Sequence, residues 1–298
     1  MKYFFINTII GIISLFEGVI GENLINVEEH ETYTDYVNPL IGTSNFGATN
    51  PGAISPRGMV SLSPFNVSGK QNTFEKDSRW LSTPYVNENS FLTGFSHINL
   101  SGVGCPDLGV ILTMPTVGEL ITNHLEYGST YEKEKATAGY YTTTLKKYNI
   151  KVEATATTRV GISKYTFPKG KSNIILNLGL GLTNESGGSI KIVSPTEIEG
   201  IRNVGSFCYY KPEESYPVYF VAKFSRPSKN FGIWKNTADF NGLEKQWMPY
   251  NGKTRIYKNY YKEVIGDSIG AYMCYNFIEP TEVEVRIGIS YVSTVSYT

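Results

Sequence analysis

Apolar and polar residues alternate along several short segments in the second half of the chain. The alternation runs through residues 140–145, 151–158 and 161–167, which are also rich in β-branched side chains. A period of two residues is typical of strands with one buried face. The sequence therefore predicts β-strands here. The continuous apolar run NIILNL at residues 173–178 predicts a strand that is buried on both faces.

Further strand-like segments follow at residues 216–225, 268–277 and 283–290, and no helical period of useful length interrupts them. Residues 226–256 are polar and contain Trp234 and Trp247, which indicates a long loop or an edge hairpin. Many short strands separated by turn residues are typical of antiparallel sandwiches. The sequence predicts an all-β protein built as a large antiparallel β-sandwich.

The composition supports a β-rich protein and excludes some partners. The 298 residues include 29 glycines, 14 prolines and 22 tyrosines, which favours strands and turns over helices. Positive and negative side chains balance at 27 each, so nothing indicates nucleic acid as a partner. The three cysteines, Cys105, Cys208 and Cys274, fit one disulfide bond with a free thiol, or three buried thiols.

The N-terminus has the pattern of a secretory signal. Met1 and Lys2 precede the apolar stretch YFFINTIIGIISLF, which is short for a membrane span, and Glu17 follows closely. We expect a signal peptide over residues 1–21, an extended lead-in over 22–34 and the folded domain over 35–298. The protein is then secreted or periplasmic, with no membrane span after cleavage; an uncleaved anchor is the alternative.

The most unusual stretch is residues 91–119, FLTGFSHINLSGVGCPDLGVILTMPTVGE. It carries His97, Cys105 and Asp107 around a glycine-rich bend that neither a helix nor a central strand accommodates. Such a bend is either a ligand-facing loop or a tight corner whose polar residues satisfy the backbone. Trp80 lies in a polar loop, where it serves as a buried anchor or, as we expect from its polar neighbours, as a stacking platform for a sugar.

No catalytic residue and no metal site follow from the motifs. The sequence contains no GxSxG, P-loop, HExxH or EF-hand pattern. Glu197 and Glu199 are two residues apart, so both point to one face of a strand, yet such pairs are usually solvated. A dyad of Cys105 and His97 is not supported, because nothing in the sequence places the thiol near the imidazole.

The run TGFSHINLSGVGCPDLGVILTMPTVGEL and the preceding YVNPLIGTSNFGATNPGAISPRGMVSLSP resemble the N-terminal domain of glycoside hydrolase family 92. The resemblance extends through DSRWLSTPY, KATAGYY and VRIGISYVS and covers roughly residues 35–296. Arg57 departs from the family pattern, which usually has an aromatic or aliphatic residue there. The family consists of secreted, calcium-dependent, inverting exo-α-mannosidases, and its N-terminal domain is a galactose-mutarotase-like β-sandwich.

The resemblance also implies what the chain needs from elsewhere. Family members continue into an (α/α) barrel that holds the catalytic acid, the base and the Ca²⁺ ligands, and this sequence contains no such domain. We therefore expect the chain alone to be inactive: a fragment, a product of a split gene or a degenerate copy. The implied partners are α-mannoside glycans and a separate barrel domain; a stand-alone carbohydrate-binding module and a structural remnant are the alternatives. The positions that carry over to the sugar pocket are Gly42, Thr43, Trp80, His97, Cys105 and Asp107.

Overall fold

Strands account for about half of the residues that the computed structural model describes, which are 32–44, 47–69, 72, 82–183, 187–205, 212–236 and 254–294. In chain order they are β1 (Ala53–Ile54), β2 (Ser61–Phe65), β3 (Phe91–Leu92), β4 (Gly94–Asn99), β5 (Leu108–Val117), β6 (Ser129–Thr137), β7 (Tyr140–Leu145), β8 (Ile150–Ala156), β9 (Val160–Phe167), β10 (Gly170–Asn177), β11 (Gly188–Ser194), β12 (Glu197–Val204), β13 (Tyr216–Phe224), β14 (Asn230–Lys235), β15 (Arg255–Lys258), β16 (Val264–Gly266), β17 (Ile269–Phe277) and β18 (Thr281–Ser290). Among these residues, helical structure is limited to the 3₁₀ turns Tyr33–Tyr36 and Pro212–Glu214 and the single-turn α-helix His124–Tyr127. Within the described ranges, no helix has the length and apolarity needed to cross a bilayer.

The strands form two sheets that pack face to face. The first sheet has the order β1-β2-β4-β5-β10-β17-β14-β15, and the second has the order β16-β11-β12-β13-β18-β9-β8-β7-β6-β3. Neighbouring strands pair antiparallel, for example β10 with β17 and β18 with β9. The predicted all-β antiparallel sandwich is confirmed.

The second sheet shows the alternation that the sequence predicted. Along β9 and β12 each buried residue is followed by a partly exposed one, so one face enters the core and the other meets water. On the outer face Glu153 lies 3.1 Å from Lys151 of the same strand and 3.1 Å from Lys164 of the neighbouring strand β9. Glu197 lies 3.8 Å from Lys223, and Glu199 lies 3.2 Å from Lys191.

The first sheet is covered on both faces. All residues of β2 are buried, as are nine of the ten residues of β5. One face contacts the second sheet, and loops cover the other around a small apolar cluster that includes Phe65, Leu112 and Leu182. The run NIILNL falls mainly in β10, where residues from Ser172 to Asn177 are buried, as its continuous apolar character predicted.

The pattern of apolar and polar residues predicted two segments incompletely. The polar region 226–256 contains the strands β14 and β15, which pair antiparallel, so the edge-hairpin interpretation is correct for its described part. Trp234 is 1% exposed and belongs to the core, whereas Trp247 lies outside the described residues. The sequence did not predict strand β6, STYEKEKAT, because it is rich in charged residues and a register shift between Glu132 and Lys135 interrupts its alternation. The signal peptide and most of the lead-in precede the first described residue and stay predictions.

Candidate functional site

Three loops meet at the end of the first sheet where β4 ends and β5 begins. The backbone N–H of Gly102 donates to the carbonyl oxygen of Ala48 at 2.6 Å. Ser82 Oγ donates to the carbonyl oxygen of Gly102 at 2.9 Å, and Thr83 Oγ1 donates to that of Thr49 at 3.0 Å. We call the described residues of 42–50, 82–87 and 100–107 the three-loop surface. These hydrogen bonds join residues that are between 20 and 54 positions apart in the sequence.

Gly42 and Thr43 shape the first of these loops. Gly42 has a φ of +80°, a conformation that favours glycine, and a Cβ there would lie 2.9 Å from Thr49 Oγ1. Thr43 is buried; its Oγ1 donates to the carbonyl oxygen of Leu40 at 2.8 Å, and its carbonyl accepts from the N–H of Asn87 at 2.9 Å. Gly42 is exposed at the surface, whereas Thr43 is buried and its hydrogen bonds hold the loop in place.

Asp107 is a buried carboxylate at the base of the third loop. It is 4% exposed, and its Oδ1 accepts from the N–H of Leu108 at 2.7 Å. Burial raises its pKa, while hydrogen bonds from Leu108, the Thr183 side chain and the Gly205 backbone act in the opposite direction. Asp107 thus connects three segments of the chain.

The cysteines form one disulfide bond with a free thiol, which is the first of the two arrangements that the sequence left open. Cys105 is disulfide-bonded, and Cys274 is a free cysteine that is partly buried. The cysteine that pairs with Cys105 lies outside the described residues. Because its sulfur is in a disulfide, Cys105 has no thiolate to form a dyad with His97.

His97 does not lie in the glycine-rich loop, where the sequence placed it, but in strand β4. Its side chain is 1% exposed and points between the two sheets, where it lies next to Gly161 of β9. His97 Nδ1 lies 2.7 Å from the carbonyl oxygen of Ile111, which can only accept, so Nδ1 carries the proton. Burial lowers the pKa of His97 to about 4. In this structure His97 is a neutral core residue beneath the three-loop surface.

Trp80 lies outside the described residues. Ser82, two positions later, forms part of the three-loop surface through its hydrogen bond to Gly102. The proposal that Trp80 stacks on a sugar therefore concerns a residue close in sequence to this surface, and it stays a proposal.

Exposed apolar side chains lie within and beside the three-loop surface, and the sequence pattern did not predict them. Val103 is 91% exposed and Val292 is 77% exposed, and the rings of Tyr216 and Tyr291 lie 5.9 Å apart. Burial, followed by the nearby Asp107 carboxylate, raises the pKa of Tyr216 to about 12. We call these four residues the apolar face. Their distant sequence positions give no local signal, so only the fold reveals them.

Neither an acid–base pair nor a metal centre is evident in the part of the chain that the structure describes. Glu197 and Glu199 form the solvent-exposed ion pairs given above, which agrees with the expectation that they are solvated. Across the same residues, no three His, Cys, Asp or Glu side chains cluster as metal ligands would. No calcium ligands are therefore assigned to these residues.

The fold and the site define a glycosidase-type β-sandwich domain without a catalytic carboxylate pair among its described residues. The chain belongs to glycosyl hydrolase family 92: the model of the family's N-terminal domain matches residues 36–290. An uncharacterized secreted glycosidase of Arthroderma benhamiae is 25% identical over 283 residues, which is 87% of this chain.

Solved structures give the same fold. The family 92 α-mannosidase BT3965 of Bacteroides thetaiotaomicron, in complex with mannoimidazole, is 27% identical over 90% of this chain, with a TM-score of 0.72. The inverting mannosidase BT2199 of the same organism is 20% identical with a TM-score of 0.63, which supports the fold alone. This chain spans about a third of the length of these relatives (33% in each case).

Proposed function

We propose that this chain is the N-terminal domain of a secreted α-mannosidase-like glycoside hydrolase. It contributes to the binding of α-mannoside glycans, including N-glycans, and supports a catalytic domain that this sequence does not include. Family membership, a relative that is named as a secreted glycosidase, and a similar α-mannosidase structure that holds mannoimidazole support this function.

The observation that carries the proposal is the convergence of three loops beside the apolar face. Hydrogen bonds from Gly102 to Ala48 and from Ser82 to Gly102 join the three loops. These loops carry Gly42, Asp107 and the residues that follow Trp80. Exposed backbone groups and hydroxyls at such a junction suit a polyhydroxylated ligand, and Trp80 would add a face for stacking. The adjacent exposed apolar side chains suit a protein surface that covers them.

The same proposal assigns no hydrolysis to this chain alone. Inverting hydrolysis needs two carboxyl groups about 6.5–9.5 Å apart, with one protonated and the other activating water. In the described residues the three-loop surface offers only Asp107, whose carboxylate is occupied by hydrogen bonds at the base of its loop.

The test is an assay of mannose release from α-1,2-mannobiose by the purified chain, with and without Ca²⁺. We expect no release above the uncatalysed background under either condition. An intact family 92 mannosidase, assayed in parallel, verifies that the substrate is competent. Robust release of mannose by this chain would contradict the proposal that it does not hydrolyse α-mannosides alone.

A further inference from the structure

A cleft with a volume of about 310 Å³ opens next to the point where β10 ends and β17 begins. On one side lie Asn177, Gly179 and Ser268, and on the other lie residues 122–124, directly before and within the single-turn helix. The volume is at the lower end of the range for ligand pockets, which fits a ligand of a single ring. The cleft contains none of the residues of the three-loop surface or the apolar face.

The lining of the cleft is polar and uncharged. Its described side chains include the amides of Asn123, Asn177 and Asn236 and the hydroxyls of Thr122, Thr254 and Ser268. His124 and Leu180 add an imidazole and a small apolar contact. Among these described lining residues there is no Lys, Arg, Asp or Glu. Small-molecule pockets are usually lined by apolar groups, so a lining of amides and hydroxyls selects a ligand with many hydroxyl groups and no charge.

Hydrogen bonds hold two of the amides in fixed orientations. Asn177 is 7% exposed; its Nδ2 donates to the Tyr127 hydroxyl at 2.8 Å, and its Oδ1 accepts from the N–H of Gly179 at 2.7 Å. Asn236 Nδ2 donates to Ser268 Oγ at 2.9 Å, and Asn236 Oδ1 accepts from Thr254 Oγ1 at 2.6 Å. A side-chain amide has two N–H donors and two lone pairs on its oxygen, so each of these contacts uses half of that capacity. The amides are preorganised and retain groups for a ligand.

We propose that this cleft is an ancillary binding site for one neutral pyranose residue, separate from the three-loop surface. The amides and hydroxyls bind the sugar hydroxyls, and Leu180 contacts a C–H face of the ring. Because its described lining residues include no Lys or Arg to offset the desolvation of an anion, the cleft disfavours phosphorylated or carboxylated sugars. The choice of mannose as the first sugar to test rests on the proposed function.

The cleft and the three-loop surface lie at the same end of the first sheet. The backbone from Gly179 to Thr183 connects them, and Thr183 bonds Asp107. Four residue steps span at most about 14 Å of extended chain. One branched or extended glycan can therefore contact both sites, with the cleft holding a residue distant from the bond that an enzyme would cleave.

The test is an NMR titration of the full ¹⁵N-labelled chain with methyl α-mannoside, in which backbone amide signals are followed. We expect signals of Gly179 and Ser268 to shift with a millimolar dissociation constant. The variant Thr122→Phe, which fills the cleft from its rim, should weaken this binding at least tenfold. Thr130→Phe places the same side chain at an exposed position of β6 and should leave the affinity unchanged. Glucuronate, a charged pyranose, should not shift the amide signals of Gly179 and Ser268.

Several results would overturn the inference. These are no shift at Gly179 from a folded chain, shifts that persist unchanged in Thr122→Phe, or equal binding of glucuronate. A failure of the proposed function would instead be seen as unshifted amide signals of Ala48 and Gly102 in the three-loop surface. Ser268→Ala, a smaller change in the same cleft, provides a second variant if Thr122→Phe does not fold, and it should weaken binding several-fold.

Discussion

At the scale of single residues, His97 shows how a polar side chain in a conspicuous motif can belong to the core. The stretch GFSHIN has the composition of a ligand loop, yet it forms β4, and the imidazole donates a hydrogen bond to the carbonyl oxygen of Ile111. Ile111 has a φ of +58°, which is rare for a β-branched residue. His97 Nε2 has no hydrogen-bond partner among the described residues. The residue types could be identified from the sequence, but their burial could not, because it depends on which strand of the other sheet faces them.

The pKa of His97 predicts a loss of stability in acid. The folded state binds the proton only near pH 4, whereas the unfolded chain binds it near 6.5, so stability falls as pH decreases through this window. The difference corresponds to about 3 kcal/mol. We expect His97→Asn to destabilise the protein at pH 7 through the cavity it leaves, and to remove most of this acid dependence. Urea unfolding at pH 7, 6, 5 and 4 measures both effects; equal pH slopes for the two proteins would contradict the assignment.

Gly161 faces His97 from the second sheet and limits what can replace it. A Cβ at position 161 would lie 2.7 Å from His97 Cδ2 and 3.2 Å from Val60 Cγ1. We expect Gly161→Ala to lower the free energy of unfolding by about 1–3 kcal/mol, as overpacking does. In the double variant with His97→Asn the smaller side chain should relieve part of this cost. If the changes in unfolding free energy of the two single variants simply add in the double variant, the two side chains do not crowd each other.

At the scale of elements, the sequence predicted the strands better than the loops. The period of two in β7, β8 and β9 locates them within one or two residues, because each has one buried face. In β6 a register shift and a run of lysines and glutamates leave no such period. The positions of the loops depend on hydrogen bonds between segments far apart in sequence, such as that from Gly102 to Ala48, and no local pattern specifies such a bond.

Strand β6 also carries a half-buried carboxylate that connects it to the second loop of the three-loop surface. Glu134 Oε2 accepts from the Tyr85 hydroxyl at 2.9 Å, and Oε1 accepts from the Tyr141 hydroxyl at 2.7 Å. Burial raises the pKa of Glu134 above its usual 4.5, in spite of these hydrogen bonds. Folding therefore favours the protonated acid, and the stability contributed by this residue decreases as pH rises above 4.5.

We expect Glu134→Gln to raise the free energy of unfolding at pH 7, because the amide keeps an acceptor and carries no charge. The gain should vanish below pH 4.5, where the acid is neutral in both states. Glu134→Ala serves as the contrast and should cost about 1–3 kcal/mol, since the tyrosine hydroxyls lose their acceptors. Thermal unfolding at pH 4 and pH 7 measures these differences. A Gln variant that is less stable at pH 7 would show that the charged form is the one that stabilises the fold.

At the scale of the whole molecule, the apolar face and the three-loop surface share one end of the sandwich. Exposed side chains such as Val103 and Val292 cost free energy in water, and a second domain or another copy of the chain would cover them. The sequence indicates the family through its motifs, but it does not show that Tyr216 and Tyr291 are neighbours or that both lie near Asp107.

This arrangement predicts self-association of the isolated chain through the apolar face. The double variant Tyr291→Ser with Val292→Ser should weaken that association by about tenfold or more, because two apolar contacts are lost. Ile278→Ser is the matched control: Ile278 is 84% exposed and lies in the turn between β17 and β18, at the opposite end of the first sheet. Sedimentation velocity over a concentration series measures the effect, and an equal change in both variants would contradict the assignment of this face.

The central claim is that the three-loop surface supplies one part of an α-mannoside site. The most direct measurement is a site-resolved NMR titration of the chain with α-1,2-mannobiose, comparing the unmodified protein with Trp80→Ala. We predict millimolar binding that shifts the amides of Ala48 and Gly102 and weakens at least several-fold in the variant. Micromolar binding would favour a stand-alone carbohydrate-binding module instead. Shifts at Ala48 and Gly102 that are absent from the folded chain, or that persist unchanged in Trp80→Ala, would contradict the account.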